Sequence, residues 1–299
     1  MNKIYKYLIT MRKLITLLCI LGFELTIYSQ NDNKELIIED VRFVSEGDTL
    51  SGTIVLPSGE GKFPAVVEIH GSGKEIRHLW LAKYFANRGI AFLTYDKRGV
   101  GKSQGNYCGP ETRKNNSSPE NLTLLAKDAA SAFKVLKKWR NIDTAKIGLF
   151  GGSQIGWIAP ITASFDKDIR FMALMSAPVV TVDQEVYFSN YAGNNHNFFK
   201  EYSKSQIDSL MKSAPLTGFD AIPYLKSIHI PVLWLYGEFD NSIPVYESIK
   251  NLKMIEKETN QNYEIKVLKN RNHQLRLLND IEGSNDDFVY NYIVEWIKK

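Results

Sequence analysis

The sequence predicts an α/β fold in which a mostly parallel, eight-stranded sheet is covered by helices on both faces. The first observation is that short, almost uninterrupted apolar segments alternate with longer segments of helical periodicity, as buried parallel strands and their covering helices do. The second is that glycine-rich or polar loops follow several apolar segments, where ligands bind in such sheets. With 299 residues, 44% of them hydrophobic, the chain is long enough for one such domain.

The predicted strands and helices follow one another in a regular order. The first two strands, at residues 36–45 and 49–56, are expected to pair antiparallel around a turn at 46–48. The later strands are predicted at residues 65–69, 90–95, 146–150, 170–175, 231–236 and 263–268. Helices are predicted at residues 79–88, 119–140, 154–165, 244–259 and 286–298. Parallel strands need such helical crossovers between them, so this order favours a parallel sheet.

Residues 1–29 have the pattern of a secretory signal peptide. Basic residues precede the apolar run Leu14–Phe23, and a polar segment begins at Gln30. The run is short for a membrane span, and Glu24 interrupts it. We therefore expect an exported protein, periplasmic or secreted, whose folded domain is residues 30–299 and which is not inserted in a membrane after signal removal. The alternatives are an uncleaved membrane anchor, translation from Met11 and lipidation of Cys19.

Residues 179–227 interrupt the alternation of strands and helices. This segment lies between two core strands and carries several aromatic residues among polar ones. We interpret it as a small helical lid over the strand ends, where it would shape a substrate site. Tyr187 and Tyr191 are the candidate substrate contacts within it. The alternative is an ordinary long connection packed on the surface.

Charge and cysteine content argue against several classes of function. The net charge is +4, part of it lies in the predicted signal, and no dense stripe of lysine and arginine indicates a nucleic-acid partner. Cys108 is the one cysteine outside that signal, so no internal disulfide is expected. No pair of cysteines, His-x-x-x-His spacing or dense carboxylate set predicts a metal. No Gly-x-Gly-x-x-Gly loop opens a helix after a strand, so no cofactor is expected either.

Ser153 lies in the segment Lys146–Trp157, where an apolar run and two glycines precede the serine and an apolar helical pattern follows it. This pattern is typical of a sharp strand-to-helix turn that exposes a nucleophilic serine. A serine that only caps a helix is the alternative, but that role does not explain the two glycines.

An acidic residue and a histidine follow Ser153 in the order that one class of serine hydrolase folds uses. Asp240 lies in the loop after the strand at 231–236, and Glu238 and Asp183 are its competitors. His273 follows the last predicted strand and precedes the last helix. The other histidines are less well placed: His70, His78, His196 and His229. The sequence therefore predicts that Ser153, Asp240 and His273 meet at one edge of the sheet, with no metal.

From residue 36 or so to the C-terminus, the chain resembles bacterial α/β-hydrolases of the esterase or prolyl-oligopeptidase (serine-aminopeptidase-like) group without a propeller. The motifs that carry this resemblance are His70–Gly73, Tyr95–Ser103, Gly151–Trp157, Gly237–Pro244 and Asn272–Leu275. The resemblance implies the α/β-hydrolase fold and hydrolysis of carboxylic esters or of short peptide or amide bonds.

An acyl-transfer site also needs N–H donors for the oxyanion. We expect them from the backbone of Gln154, at the start of a helix, and of Ser72 in the glycine-rich loop after a strand. His78, close to that loop, is a further candidate substrate contact. Arg98 and Asp96 are expected to pair with each other as a structural brace of the turn after their strand.

One residue departs from the family pattern. Ile155 stands two places after the serine, where relatives have Gly or Ala, and Gly156 follows it. A β-branched residue is expected to crowd the turn unless the elbow has shifted or the neighbouring strand leaves room. If it crowds the turn, Ile155→Gly should keep or raise activity and lower stability slightly.

The sequence thus predicts a serine hydrolase that cleaves carboxylic esters of small acyl substrates through an acyl-enzyme on Ser153. One alternative is an aminopeptidase or other peptidase acting on short peptides, for which Asp183 and Glu185 would bind the free amine. Another is a non-catalytic binding protein on the same fold, for which Ile155 is the support. The expected partner is a small ester or short peptide, and no oligomeric state is predicted.

Overall fold

A computed structural model describes residues 35–110, 116–193, 195, 197–279 and 287–299 of the chain. Within it, Leu36–Lys299 form one compact unit. The predicted signal peptide at 1–29 and its alternatives lie outside the described residues, so they stay predictions. In the part of the chain that is described, no helix combines the length and the apolar character needed to cross a membrane.

The sheet has eight strands in the order β1-β2-β4-β3-β5-β6-β7-β8. The strands are β1 Ile37–Ser45, β2 Asp48–Leu56, β3 Phe63–Ile69, β4 Ala91–Tyr95, β5 Ile142–Gly152, β6 Phe171–Met175, β7 Val232–Gly237 and β8 Glu264–Leu268. β1 pairs antiparallel with β2, and β2 with β4. All other neighbours are parallel. The predicted eight-stranded, mostly parallel sheet is confirmed.

Helices connect the parallel strands. In the described ranges they are α1 Leu79–Ala86, α2 Pro119–Lys137, α3 Ile155–Phe165, α4 Val182–Ala192, α5 Phe198–Glu201, α6 Lys204–Lys212, α7 Ile222–Ser227, α8 Val245–Thr259 and α9 Asp287–Lys298. Local chemistry explains where α2 begins. The Ser118 side chain accepts a hydrogen bond from the Asn121 N–H, and Pro119 occupies the first turn.

The hydrophobic core consists of two large clusters, which bury residues from different sets of helices against the sheet. One contains residues of α2, α3 and α8, including Phe133, Ile155 and Leu252. The other contains residues of α1 and α9, including Phe85 and Ile293. Helices therefore cover the sheet on two sides, as expected for parallel strands that are apolar along their whole length.

Helices α4 to α7 lie in the segment 179–227, and α4, α5 and α6 contribute to a small apolar cluster separate from the two large ones. Its fully or nearly fully buried members include Phe188, Phe198 and Met211. The Phe199 ring lies edge-on against Phe239, with centroids 5.5 Å apart. These helices thus pack against the loop after β7, which contains Asp240. Their role as a lid stays a prediction.

The expected pairing of Arg98 with Asp96 is wrong. Asp96 instead accepts from Arg77, with Nη2 to Oδ2 2.9 Å apart, while Arg98 is buried against Asp128 and Asp48. Asp96 points back toward the loop before α1, whereas Arg98 reaches α2 and the start of β2. The turn after β4 is therefore held from two directions, and both charges have structural partners.

Candidate active site

Ser153 lies in the sharp turn between β5 and α3. Its φ is 59°, in the left-handed region that non-glycine residues rarely adopt, and its N–H donates to the Met175 carbonyl at 2.9 Å. Such a conformation costs on the order of 1–3 kcal/mol and persists only where the surrounding structure imposes it. The side chain is half-buried, at the carboxyl end of the central strand. The turn thus presents the serine hydroxyl at the edge where the sequence placed it.

Close backbone contacts explain the glycines around the serine. A Cβ on Gly151 would lie 2.2 Å from the Ile69 carbonyl oxygen, and one on Gly156 would lie 2.4 Å from that of Pro178. Ile155 itself is fully buried in the core cluster with α2 and α8. The tight approach therefore falls at Gly156, which agrees with a shifted elbow. The crowding expected from Ile155 stays a prediction.

Asp240 and His273 meet at the ends of the neighbouring strands β7 and β8. The Nδ1 of His273 lies 2.9 Å from one carboxylate oxygen of Asp240 and 3.0 Å from the other. The Asp240 side chain is completely buried, and it also accepts from the N–H groups of Ser242 at 2.9 Å and Ile243 at 2.8 Å. These bonds fix the carboxylate, so its contact with Nδ1 orients the imidazole. The second ring nitrogen, Nε2, lies on the side of the ring away from this contact.

Electrostatics at this pair involve a third group from α4. Burial works to lower the pKa of His273, but the charge of Asp240, its hydrogen bond and the charge of Glu185 outweigh burial and raise it. Burial raises the pKa of Glu185 to about 7, although the nearby His273 lowers it in part. Glu185 also has a hydrogen bond with Ser242. A carboxyl group of the insertion thus lies close enough to influence the histidine electrostatically.

The competing acids have other partners. Glu238 accepts a hydrogen bond from the Asn270 N–H at 3.0 Å, and Asp183 accepts one from the Thr217 hydroxyl at 2.5 Å. No such contact with His273 appears for either acid among the described residues. The geometry therefore favours Asp240 as the partner of the histidine.

The glycine-rich loop after β3 lies beside the serine. A Cβ on Gly71 would be 3.7 Å from Ser153 Cβ, so the predicted donor Ser72 is close to the same point. Gln154 is buried directly before α3, and its side-chain amide donates to the Asn116 carbonyl at 2.9 Å. Both backbone segments from which we expect oxyanion donors therefore lie beside Ser153.

Sequence reasoning missed one positioning residue of this loop. Lys97 is buried after β4, and its ammonium donates to the Gly71 carbonyl at 2.5 Å and lies 3.5 Å from the side-chain oxygen of Gln154. It thus joins the two predicted oxyanion segments. The available signal was a lysine directly after a buried strand, inside the motif Tyr95–Ser103.

One open cleft of about 530 Å³ brings several of the predicted residues together. Ser153, His273, Ser72 and His78 all line it. Tyr187 and Tyr191 are not among the described residues that line this cleft. Their rings pack against each other, with centroids 5.2 Å apart, so their role as substrate contacts stays a prediction.

His78 is an integral part of the cleft wall. Its Nδ1 lies 2.8 Å from Glu68 and its Nε2 lies 3.2 Å from Glu75. Hydrogen bonds to Glu68 and then Glu75 raise the pKa of His78 to about 10, despite partial burial. The same hydrogen bond lowers the pKa of Glu75. Glu68, which is buried within β3, is therefore paired with His78.

The remaining described histidines do not contact Asp240, although His70 also lines the cleft. His70 is buried at the end of β3, where its Nε2 contacts the Tyr95 carbonyl oxygen, and burial lowers its pKa. His229 precedes β7 and lines a separate cavity with Pro231 and Asn260. His196 lies outside the described residues. Among the described histidines, His273 is thus the one that both contacts Asp240 and lines the cleft of Ser153.

Comparisons with known proteins agree with this architecture. The prolyl oligopeptidase family matches residues 77–299. Esterase EstD of Thermotoga maritima is 26% identical over 253 residues, which cover 75% of this chain and 57% of the esterase. Thiohydrolase aneE of Aspergillus aculeatus is 34% identical over 144 residues, which cover 47% of this chain and 42% of the thiohydrolase. The chain thus spans about half the length of these two relatives.

A solved structure with the same fold is that of an esterase from Pyrococcus furiosus. It superposes with a TM-score of 0.62 and covers 89% of this chain and 92% of that one. At 20% identity, this likeness establishes the fold alone. The sheet order, the serine elbow and the family match over most of the chain lead to one conclusion: the chain belongs to the prolyl oligopeptidase family and has the α/β-hydrolase fold.

Proposed function

We propose that this protein is a serine hydrolase that cleaves carboxylic esters of small acyl substrates. The observation that carries the proposal is the hydrogen bond between His273 Nδ1 and the buried Asp240 carboxylate, because His273 lines the same cleft as Ser153. The strained backbone of Ser153 supports it, because strain of this kind is retained mainly where function requires it.

The mechanism follows from these positions. His273 accepts the hydroxyl proton of Ser153 at Nε2 while the serine oxygen attacks the ester carbonyl. Asp240 holds the ring in the tautomer that leaves Nε2 free to act as the base, and it stabilises the imidazolium that forms. The backbone N–H groups of Gln154 and Ser72 are the proposed donors to the oxyanion.

The tetrahedral intermediate then collapses. Its C–O bond to the leaving group breaks, and the leaving alcohol takes the proton from His273. The acyl group remains as an ester on Ser153. Water repeats the attack with His273 as the base, which releases the carboxylic acid and restores the free serine.

A peptidase is the second candidate function, and Glu185 is the observation that favours it. This carboxyl group comes from the insertion and lies near Asp240 and His273. When ionised, it could bind the free amino group of a short peptide whose first carbonyl reaches Ser153. The family name points the same way, but the two curated relatives described above are an esterase and a thiohydrolase.

A substrate panel with one variant tests the proposal. We expect wild-type protein to hydrolyse short-chain p-nitrophenyl esters faster than aminoacyl amides, with a thioester included because of the thiohydrolase relative. Ser153→Ala should lower turnover on the order of a million-fold, since loss of a triad serine has this effect. Retention of more than a few per cent of activity, with circular dichroism unchanged, would exclude Ser153 as the nucleophile.

A fluorophosphonate probe separates the enzyme from a non-catalytic binding protein. Covalent labelling of Ser153, seen as a mass increase absent from Ser153→Ala, supports the enzyme. An intact mass that stays unchanged after long incubation supports the binding protein.

Export by removal of residues 1–29 is part of the same proposal. The support is the pattern of basic residues followed by the apolar run Leu14–Phe23. Mass spectrometry of native protein should find an N-terminus near Gln30. Recovery of soluble protein that still contains Leu14–Phe23 would contradict it.

A further inference from the structure

Three side chains on the wall of the cleft form a compact group that the proposed hydrolysis does not use. Glu68, His70 and His78 each contribute one nitrogen or oxygen atom, and these atoms lie within 4.8 Å of one another. All three line the cleft that also contains Ser153. Two imidazoles and a carboxylate are a ligand set that zinc accepts in catalytic sites with an open fourth position.

His70 has a ring nitrogen available for a ligand. A carbonyl oxygen can only accept, so the contact of Nε2 with the Tyr95 carbonyl places the proton on Nε2. Nδ1 then carries a lone pair. It is buried and has no hydrogen-bond partner among the described residues, while His70 as a whole is only 4% exposed. A buried lone pair without a donor is costly, and a bound cation would satisfy it.

Glu68 and His78 are also held by hydrogen bonds to neighbouring side chains. One oxygen of Glu68 accepts from the Thr94 hydroxyl at 2.5 Å, which leaves the other facing His78 Nδ1 at 2.8 Å. The far nitrogen of His78 lies 3.2 Å from Glu75. Each of the three groups therefore has a hydrogen-bond partner outside the group: Tyr95 for His70, Thr94 for Glu68 and Glu75 for His78. Ligands of protein-bound metals are held by outer partners of this kind.

We propose that Glu68, His70 and His78 bind a divalent cation, with Zn²⁺ as the best match to two nitrogen ligands and one oxygen ligand. Binding replaces the proton shared by His78 Nδ1 and Glu68, so one proton is released for each cation bound. His78 Nε2 keeps its proton and donates a hydrogen bond to Glu75. The fourth position faces the cleft and is open to water or to a substrate oxygen. The observations that support this site do not depend on the proposed ester hydrolysis.

Isothermal titration of the purified full-length protein with ZnCl₂ tests the proposal. We expect one Zn²⁺ per chain in the wild type, and at least a tenfold loss of affinity in Glu68→Gln and His78→Ala. The glutamine variant keeps the size of the side chain and can still accept from Thr94, so it should fold even if His78→Ala does not. His229→Ala is the matched control, because this histidine lies outside the cleft, and its affinity should equal that of the wild type.

Two results would overturn the proposal. One is equal affinity for Zn²⁺ in the wild type, Glu68→Gln and His229→Ala, which would leave a proton bridge between Glu68 and His78 as the full role of the group. The other is loss of binding in His273→Ala but not in Glu68→Gln, which would move the cation to the Asp240 pair. Absorption of bound Co²⁺ in the visible range, lost in Glu68→Gln, would support the proposed ligands through a second measurement.

Discussion

Replacement of Ile155 tests how the serine elbow of this protein is built. Ile155 is the first residue of α3, directly after the turn that holds Ser153, and it is completely buried in the core. Its Cδ1 also lies close to Gly151, since a Cβ on that glycine would be 2.9 Å from it. The side chain therefore fills space between the elbow and the core, and Ile155→Ala should leave a cavity there.

The magnitude follows from the atoms removed. Ile155→Ala deletes three buried carbons, and at about 0.8 kcal/mol each the lost transfer free energy is roughly 2.4 kcal/mol. The cavity adds to this, so the free energy of unfolding should fall by about 2–5 kcal/mol. For a domain of this size that corresponds to a decrease in Tm of roughly 4–20 °C. Ile155→Gly should cost about 1 kcal/mol more, because glycine is a poor helix former.

Differential scanning calorimetry and turnover of a short p-nitrophenyl ester measure the two effects. Gly156→Ala is the matched variant, since its Cβ would lie 2.4 Å from the Pro178 carbonyl oxygen and would displace the elbow by overpacking. We expect this variant to lose turnover by up to about a hundredfold through misplacement of Ser153. If Ile155→Ala lowered Tm by less than about 2 °C and raised turnover, the packing argument would be wrong. That result would indicate that Ile155 crowds the turn.

Four further predictions concern charged groups. Asp240→Asn should lower kcat about ten-thousand-fold, because it favours the wrong tautomer of His273. Glu238→Gln should keep ester turnover. Equal losses in both variants would contradict the assignment of Asp240 as the acid. Because the pKa of His273 is raised and the base must be neutral, kcat/KM should rise with pH through a midpoint above 6.5. The charge of Glu185 contributes to that raised pKa, so Glu185→Gln should move the midpoint to lower pH. A shift to higher pH would contradict this. Folding raises the pKa of Glu185 to about 7, so its protonated form stabilises the folded protein. This stabilisation is complete below the ordinary pKa of 4.5 and is lost as the pH rises through 7. At pH 8, Glu185→Gln should therefore have a higher Tm than the wild type. Asp128→Asn leaves the buried Arg98 poorly paired. The free energy of unfolding, measured in urea, should fall by about 3–5 kcal/mol, while ester turnover is retained. A decrease below about 1 kcal/mol would mean that Arg98 finds another partner.

Most of the fold could be predicted from the sequence because it depends on local periodicity. The strand predicted at 231–236 is observed at Val232–Gly237, and the helix predicted at 244–259 is observed at Val245–Thr259. An apolar run or a helical stripe records which side of a segment is buried, whatever it packs against. The shift of a residue or two at the ends reflects capping and hydrogen bonds that periodicity does not contain.

The candidate site could be predicted in part for a related reason. The carboxyl ends of parallel strands meet at one edge, so residues that follow different strands come together without any knowledge of their contacts. The positions of Ser153, Asp240 and His273 after β5, β7 and β8 therefore predicted the observed contact of Asp240 with His273.

The sequence by itself thus determined the succession of strands and helices, the fold class and the edge of the sheet at which the candidate residues meet. Only the tertiary structure decided which partner each polar group has: Arg98 pairs with Asp128 rather than Asp96, Lys97 holds Gly71, and Glu68 meets His78. The physical reason is that a buried charge requires a partner but does not specify it. That choice depends on distances of a few ångströms between elements far apart in the chain, which no local pattern of residues records.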